Sequence, residues 1–307
     1  HVPEMTTPPA VDMGNVVVLI AEDNPFNWDV TQKFLDMSGA SYVWAQNGLE
    51  ALEKYKADPF GFDIILMDCQ MPILDGYDAT RKIREFETST GDGSGSGGDG
   101  AAKTAQNMRI PIVALTAHAM LGDHAKCIEY GMDGYLTKPI SRRQLLQAIV
   151  HHMRRPLSRD TKNANAHSSA DQQQQQDQQR QENPVNIEKG PRPVDLQALA
   201  ARFGSELIAK QTLEKFQQYL PSAMDSVRDM CARKDLACLN GAAHSIKGAA
   251  GMASAVLLEA STRKLVAACR HALSTTPPTK YEAVQATIDS LVMDVEEACR
   301  AVCATKG

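Results

Sequence analysis

Short apolar runs alternate with stretches of helical pattern between residues 16 and 153, and this alternation restricts the fold more than any other feature. The apolar runs are Val16–Ile20, Tyr42–Ala45, Phe62–Met67, Ile110–Leu115 and Tyr135–Leu136. Helical patterns follow at Pro25 to about Ser38, at Leu49–Lys56, at Gly76 to about Phe86, between the last two runs, and at Arg142–His152. This order predicts a parallel sheet covered by helices on both faces.

Five strands and five helices fit one doubly wound α/β domain over residues 16–155. The expected strand order of its five-stranded parallel sheet is 2-1-3-4-5, which is the flavodoxin-like arrangement. In this order strands 1 and 3 are neighbours, and ligands bind at the carboxyl ends of the strands.

Three polar segments interrupt or flank these patterns. Residues 1–15 carry no periodic pattern, and we predict that they are disordered. Residues 88–108 form a Gly/Ser-rich insert that lacks the Lys-Ser/Thr of a phosphate-binding P-loop. Residues 156–193 are polar and rich in glutamine, which is typical of a flexible linker. A linker of this length spans roughly 35 Å, so it permits the segments on its two sides to dock against each other.

Residues 194–303 show only helical periodicity. One apolar stripe runs along Leu236, Leu239, Ala243, Ile246 and Ala250, and others like it occur before and after. The pattern predicts a separate all-α four-helix bundle, with its helices divided by Pro221 and by the Pro277-Pro278 pair.

Charge and hydropathy exclude several classes of protein. The net charge of −5 is mildly negative, whereas nucleic-acid-binding surfaces are basic. No apolar run approaches the ~20 residues of a membrane span. We therefore expect no nucleic-acid partner, no membrane contact by this segment and a cytoplasmic location. The seven cysteines have no CxxC spacing, which indicates reduced thiols. Because the first residue is His1, we also expect a piece of a longer chain.

Three acidic residues stand at the ends of the first and third apolar runs. They are Glu22, Asp23 and Asp68, and in the predicted sheet they converge on one crevice. Their repulsion calls for a hard cation with oxygen ligands, for which Mg²⁺ is suited. Thr116 and Lys138, at the ends of the last two strands, add a hydroxyl and a positive charge. Taken singly, each is readily explained as an ordinary polar residue at a strand end, but together they indicate phosphoryl transfer onto a carboxylate.

Four motifs in this order resemble the response-regulator receiver domain. They are Ala21-Glu22-Asp23-Asn24-Pro25, Met67-Asp68-Cys69-Gln70-Met71-Pro72-Ile73-Leu74-Asp75-Gly76, Ala114-Leu115-Thr116-Ala117 and Leu136-Thr137-Lys138-Pro139-Ile140. The resemblance covers residues 16–153 and implies that Asp68 is the phosphoacceptor. It also implies that Glu22, Asp23 and Asp68 hold Mg²⁺ together with the backbone carbonyl of Gln70.

The same resemblance implies roles for three further residues. Thr116 would hydrogen-bond the phosphoryl group, and Lys138 would pair with it. Tyr135 matches the aromatic residue that moves inward when Thr116 engages the phosphate. For Tyr135 the alternative is a half-exposed strand aromatic with no switching role.

One histidine stands out among the eight in the chain. His244 lies roughly 120° from the apolar stripe of its helix, and therefore faces outward or sits at the rim. Gly241, Gly248 and Gly251 are predicted to lie beside it on the surface, with Lys247 one turn on, so that another protein surface can approach the imidazole. The alternative is an ordinary solvent-exposed histidine.

The string His244-Ser245-Ile246-Lys247-Gly248-Ala249-Ala250-Gly251 is similar to the signature of histidine-phosphotransfer domains. The resemblance covers about residues 194–303. It implies that His244 is phosphorylated on a ring nitrogen, that Lys247 offsets the added charge, and that the bundle has no catalytic metal of its own.

These features favour a phosphorelay segment from the C-terminal part of a hybrid sensor histidine kinase. Its expected partners are a histidine kinase core, upstream in the same chain or acting in trans, and a downstream receiver protein. The sequence contains no ATP-binding kinase core, so it is expected to transfer phosphoryl groups but not to draw them from ATP. The alternatives are a free-standing relay or phosphate-sink protein and a signalling scaffold without chemistry.

Overall fold

The computed structural model describes residues 13–91, 109–117, 121–153, 192–275 and 281–305. Its N-terminal part contains a five-stranded parallel sheet with the order β2-β1-β3-β4-β5, which confirms the predicted order. The strands are β1 (Val17–Ala21), β2 (Ser41–Ala45), β3 (Ile64–Asp68), β4 (Ile112–Thr116) and β5 (Gly134–Thr137).

Helices α1 to α5 connect or follow these strands. They are α1 (Pro25–Asp36), α2 (Gly48–Ala57), α3 (Gly76–Gly91), α4 (Leu121–Glu129) and α5 (Arg142–His152). Local capping explains where several of them begin. Asn24, Asn47 and Ser141 each accept a backbone N–H of the first turn through their side chains.

The sheet separates two apolar layers because successive strand residues point to opposite faces. Leu19 of β1 faces the layer under α2, α3 and α4, whereas Val18 and Ile20 face the layer under α1 and α5. All three side chains are fully buried. Because all neighbouring strands are parallel, their carboxyl ends lie at a single edge of the sheet.

The C-terminal part is helical. Its helices are α6 (Leu196–Phe203), α7 (Glu206–Ala232), α8 (Leu236–Met252), α9 (Val256–Ser274) and α10 (Tyr281–Cys303). Ser205 and Asp235 cap the starts of α7 and α8 through their side chains, and Gly204 ends α6 in the left-handed conformation, with φ of 69°. None of the helices within the described ranges has both the length and the apolar character needed to cross a membrane.

The helical part packs directly against the α/β part, a docking that the length of the predicted linker permits. The apolar layer under α1 and α5 continues without a break into the core of α6 to α10. Phe26 lies 4.9 Å from Phe216 and Phe34 lies 5.0 Å from Phe203, measured between ring centroids. Helix α1 is therefore covered by the sheet on one side and by α7 and α8 on the other.

Three boundary predictions require correction. Pro221 lies inside the continuous helix α7; the buried residues Phe216, Leu220 and Met224 on both sides of it share one core and hold the helix together. Helix α3 extends to Gly91, so residues 88–91 belong to it and not to an insert. Residues 13–15 precede β1 in an ordered turn, in which Met13 is fully buried and its N–H donates to the carbonyl of Ser38 at 3.1 Å.

Four other predicted features lie outside the described residues. They are the N-terminal segment 1–12, the Gly/Ser-rich stretch 92–108, the linker over 156–191 and the Pro277-Pro278 pair.

The fold predicts a contrast between two leucines of the α/β part. We expect Leu66→Ala, in the fully buried centre of β3, to lower the free energy of unfolding by about 2–5 kcal/mol because it leaves a cavity. Leu49→Ala on α2 is the matched control, since this side chain is 41% exposed, and we expect a loss below about 1 kcal/mol. Urea denaturation followed by tryptophan fluorescence measures both, because the two tryptophans, Trp28 and Trp44, stack on each other in this part of the chain. Equal losses would contradict the placement of Leu66.

Candidate functional site

Three carboxylates meet at the edge of the sheet. Glu22 follows β1 directly, Asp68 is the last residue of β3, and the register pairs Ala21 with Met67 on these neighbouring strands. One oxygen from each of Glu22, Asp23 and Asp68 lies within 4.8 Å of the others. Glu22 and Asp68 are buried, whereas Asp23 is half-buried.

Lys138 joins two of these carboxylates. Its Nζ lies 2.5 Å from Oε2 of Glu22 and 2.6 Å from Oδ2 of Asp68. The residue follows β5, at the far side of β4, and its backbone N–H donates to the carbonyl of Thr116 at 2.6 Å. This backbone bond holds Lys138 next to the end of β4, and its side chain reaches across to the carboxylates at the ends of β1 and β3.

Burial and the charge of neighbouring carboxylates raise the pKa values of Glu22 and Asp23. Glu22 has its pKa raised to about 8, first by burial and then by Asp68 and Asp23, against the opposing effect of Lys138. Burial and the charge of Asp68 raise the pKa of Asp23 to about 6. For Lys138, burial acts to lower the pKa, but the carboxylates of Asp68 and Glu22 outweigh it and raise the pKa, so the ammonium stays charged.

The three carboxylates fit a divalent cation. Three acidic groups face one ammonium, so acidic groups outnumber basic ones at this edge of the sheet. The donors are all oxygen atoms, which Mg²⁺ prefers. Glu22, Asp23 and Asp68 are the side chains that would hold it.

Three other predicted residues lie near this edge. Gln70 is exposed, and its backbone N–H donates to Oδ1 of Asp68 at 3.1 Å. Thr116 ends β4 and is buried, whereas the half-buried Tyr135 in β5 packs against the layer under α2 to α4. Gly76, at the start of α3, permits close approach, because a Cβ there would lie 2.0 Å from the carbonyl oxygen of Asp68.

His244 of α8 lies at the same edge. A cavity of about 20 Å³ is lined jointly by both parts of the chain, which is room for about one water molecule. Its lining comprises Glu22, Asp23, Asn24, Asn27, Asp68, Cys69, Gln70, Ala117, Lys138, His244, Ser245 and Gly248. His244 is half-buried and lines this cavity together with the three carboxylates.

Of the residues expected on the surface beside His244, two are buried. Lys247 is only 7% exposed, and its pKa is lowered by burial and by the nearby charges of Arg270 and Arg263. Gly251 is also buried, and a Cβ there would make ordinary contact with Glu259. The predicted helical periodicity is correct. However, α8 packs against α7, α9 and α1, and these neighbours bury residues on more than the one face that carries the apolar stripe.

The glycines at 241 and 248 differ in their surroundings. A Cβ at Gly248 would lie 3.4 Å from Nδ2 of Asn27 on α1, so this glycine faces the α/β part of the chain. A Cβ at Gly241 would meet nothing within 4 Å. Of these two glycines, only Gly248 therefore borders the α/β part of the chain, whereas Gly241 faces open space.

Sequence reasoning missed four residues that join the two parts of the chain. Nδ2 of Asn24 donates to Tyr219 and Ser245, and Nη2 of Arg270 donates to Oε1 of Gln70 at 3.0 Å. Asn24 and Ser245 lie inside recognised motifs, so their positions next to Asp23 and His244 were a usable signal. Tyr219 and Arg270 lie outside any motif, and only the packing of the helices reveals them.

Comparison with known proteins agrees with the geometry of the sheet and its edge. The family model of the response regulator receiver domain matches residues 18–91 and 97–150. A probable histidine kinase 2 of Oryza sativa subsp. indica is 37% identical over 144 residues, and the sensor histidine kinase GacS of Pseudomonas protegens is 39% identical over 133 residues. Each match covers 43% of this chain but only 12% and 13% of the respective kinase.

One similar solved structure is the complex of the Saccharomyces cerevisiae histidine phosphotransfer protein Ypd1 with the receiver domain of its response regulator Ssk1. The similarity has a TM-score of 0.38 and 36% sequence identity, and it covers 45% of this chain and 88% of that chain. Together, the family match, the strand order and the relatives lead to one conclusion about the N-terminal part. The segment from residue 18 to residue 150 is a response regulator receiver domain, and its relatives are histidine kinases.

Proposed function

We propose that this chain is a phosphorelay segment that exchanges a phosphoryl group between Asp68 of the receiver domain and His244 of the helical region. The observation that carries the proposal is the shared cavity, which His244 lines together with Asp68, Glu22 and Lys138. A scaffold without chemistry has no need to bring a nucleophilic carboxylate, a buried ammonium and an imidazole together.

The first step forms an acyl phosphate on Asp68. A carboxylate oxygen attacks the phosphorus of a phosphohistidine or a small phosphodonor, the bond from phosphorus to the donor atom breaks, and the donor leaves with its electron pair. Lys138 lies 2.6 Å from this carboxylate and offsets the charge of the transferring group. Mg²⁺, held by Glu22, Asp23 and Asp68 with the backbone carbonyl of Gln70, supplies further charge neutralisation when bound.

The second step passes the group to His244. The unprotonated ring nitrogen attacks the aspartyl phosphate, a nitrogen–phosphorus bond forms, and the oxygen–phosphorus bond to Asp68 breaks. The carboxylate of Asp68 leaves without needing a proton, and the other ring nitrogen keeps its own. The positive charges of Lys247, Arg263 and Arg270 lie close to one another and favour the added negative charge.

The helical region fits the role of a histidine-phosphotransfer domain. Helix α7 contacts α8, α8 contacts α9, α9 contacts α10, and α10 contacts α7. This closed series of contacts supports a four-helix bundle. The short α6 precedes the four long helices and packs on α7. In the proposed relay, Thr116 hydrogen-bonds the phosphoryl group and Tyr135 moves inward in response.

The relatives suggest the setting of this relay. The chain would form the C-terminal part of a hybrid sensor histidine kinase on the cytosolic side, with a kinase core as the phosphate source and a separate receiver protein as the recipient. A free-standing relay fed in trans would use the same residues.

Two substitutions are expected to change Mg²⁺ binding in opposite directions. We expect Asp23→Asn to weaken it, because an anionic ligand is lost, and Lys138→Met to strengthen it, because a competing cation 2.5 Å from Glu22 is removed. Lys54→Met is the control, since this partly exposed lysine pairs with Glu50 on α2. Isothermal titration with MgCl₂ measures all three, and Asp23→Asn that binds as tightly as the parent chain would contradict the assignment.

The relay itself predicts two kinds of protein-bound phosphate. With Mg²⁺ and acetyl phosphate, the parent chain is expected to acquire base-labile aspartyl phosphate and then base-stable phosphohistidine. His244→Gln should retain only the base-labile form, whereas Asp68→Asn should lose both, because the histidine receives its phosphate from Asp68. His271→Gln, at an exposed position of α9, is the control and should behave like the parent. Base-stable phosphate in His244→Gln, or uptake in Asp68→Asn, would refute the assignment.

The contrast between two glycines of α8 tests the docked arrangement. We expect Gly248→Leu to reduce phosphohistidine formation at least about tenfold, because the side chain would meet Asn27 across the interface. Gly241→Leu has open space and should transfer at nearly the parental rate. Both variants should still acquire aspartyl phosphate. Equal rates of phosphohistidine formation in the two variants would show that transfer does not require the packing of α8 against α1 at Gly248.

A further inference from the structure

The orientation of one side-chain amide is determined by the helix that it caps. Oδ1 of Asn24 accepts the backbone N–H of Phe26 at 2.9 Å and that of Asn27 at 3.1 Å. Because a backbone N–H can only donate, the amide oxygen must face the start of α1. The NH₂ group is therefore turned away from the receiver domain and toward the helical region.

The NH₂ group of Asn24 meets three oxygen atoms of the helical region. Nδ2 lies 2.9 Å from Oη of Tyr219, 3.0 Å from the backbone oxygen of Ser245 and 2.8 Å from Oγ of Ser245. The hydroxyls of Tyr219 and Ser245 thus share one amide group as their donor. Asn24 is only 1% exposed, so water is poorly placed to replace these partners.

Aromatic packing holds the phenol of this cluster in place. The ring of Tyr219 stacks with that of Phe26 at a centroid distance of 6.0 Å, and Phe26 also packs on Phe216. Phe26 thus packs against the same tyrosine whose hydroxyl accepts a hydrogen bond from Asn24, the residue that caps α1. One short segment of α1 provides both the apolar and the polar contacts.

The cluster acts on the residue adjacent to the reactive histidine. A slip of one residue along α8 would move its side chains by about 1.5 Å and turn them by about 100°. The hydrogen bond to the carbonyl of Ser245 therefore restricts the position of His244 relative to the carboxylates. Misplacement of reacting groups by about 1 Å can cost on the order of a hundredfold in rate.

We propose that Asn24 is a positioning and specificity-determining residue of the relay, which holds α8 through Tyr219 and Ser245 so that His244 faces Asp68. The inference rests on the proposed function and extends it to the choice of partner. A receiver with an aspartate at this position would still cap its helix. Its second carboxylate oxygen could accept from the hydroxyls of Tyr219 and Ser245, but it would also face the backbone carbonyl oxygen of Ser245, which can only accept and which repels it. The helical region is therefore suited to receivers that carry an amide next to the acidic pair.

The test compares transfer rates in the full chain with Mg²⁺ and acetyl phosphate. The rate of phosphohistidine formation is divided by the amount of aspartyl phosphate present, so that changes in uptake at Asp68 do not enter. We expect Tyr219→Phe to lower this rate about 2- to 10-fold and Asn24→Asp about 10- to 100-fold, from the loss of hydrogen bonds to a buried amide. Tyr281→Phe is the matched control, because its hydroxyl contacts Asp289 within α10, and it should leave the rate unchanged.

A double variant separates positioning from general loosening of the fold. Tyr219→Phe added to Asn24→Asp should lower the transfer rate little further, because the hydrogen bond that Asn24 donates to Tyr219 is already lost. If the two substitutions damaged the structure independently, their fold-losses in rate would multiply. Parental transfer by Tyr219→Phe, or losses that multiply, would overturn the inference. If Asn24→Asp acquires no aspartyl phosphate, Tyr219→Phe and its control decide alone. A parent chain that forms no phosphohistidine would instead overturn the proposed function.

Discussion

The ion pairs of Lys138 with Glu22 and Asp68 are the interaction on which the receiver site depends. Buried carboxylates next to one another are costly unless a cation neutralises them, and this ammonium lies within 2.6 Å of both. The contact joins the end of β5 to the ends of β1 and β3 across the intervening β4. It is possible only because a parallel sheet brings the carboxyl ends of all its strands to one edge.

The second constraint is the apolar core that the receiver domain shares with the helical region. Helix α1 begins beside the acidic residues and presents Phe26 and Phe34 to α7 and α6. An element that touches both the carboxylate site and the helical region aligns one with the other. Asn24 adds direction to this apolar contact, because hydrogen bonds depend on orientation and apolar contacts do not.

The differences between expectation and structure have a common origin. Lys247 and Gly251 were predicted on the surface from a single stripe, but α8 is contacted by α7, α9 and α1 and therefore buries more than one face. Pro221 was predicted to end a helix, but a buried face continues past it on α7. In each case tertiary packing overrides a local rule that is correct for an isolated helix.

The sequence by itself determined the strand order, the convergence of Glu22, Asp23 and Asp68, and the helical character of the C-terminal part. These follow from periodicity and from the geometry of parallel sheets, which are local or general properties of the chain. Only the tertiary structure decided that His244 shares a cavity with Asp68, that Gly248 and not Gly241 faces α1, and that Tyr219 and Arg270 take part. Such contacts join residues about 200 positions apart along the chain. No pattern within either segment specifies which faces meet, because that depends on how the surfaces of both fit together.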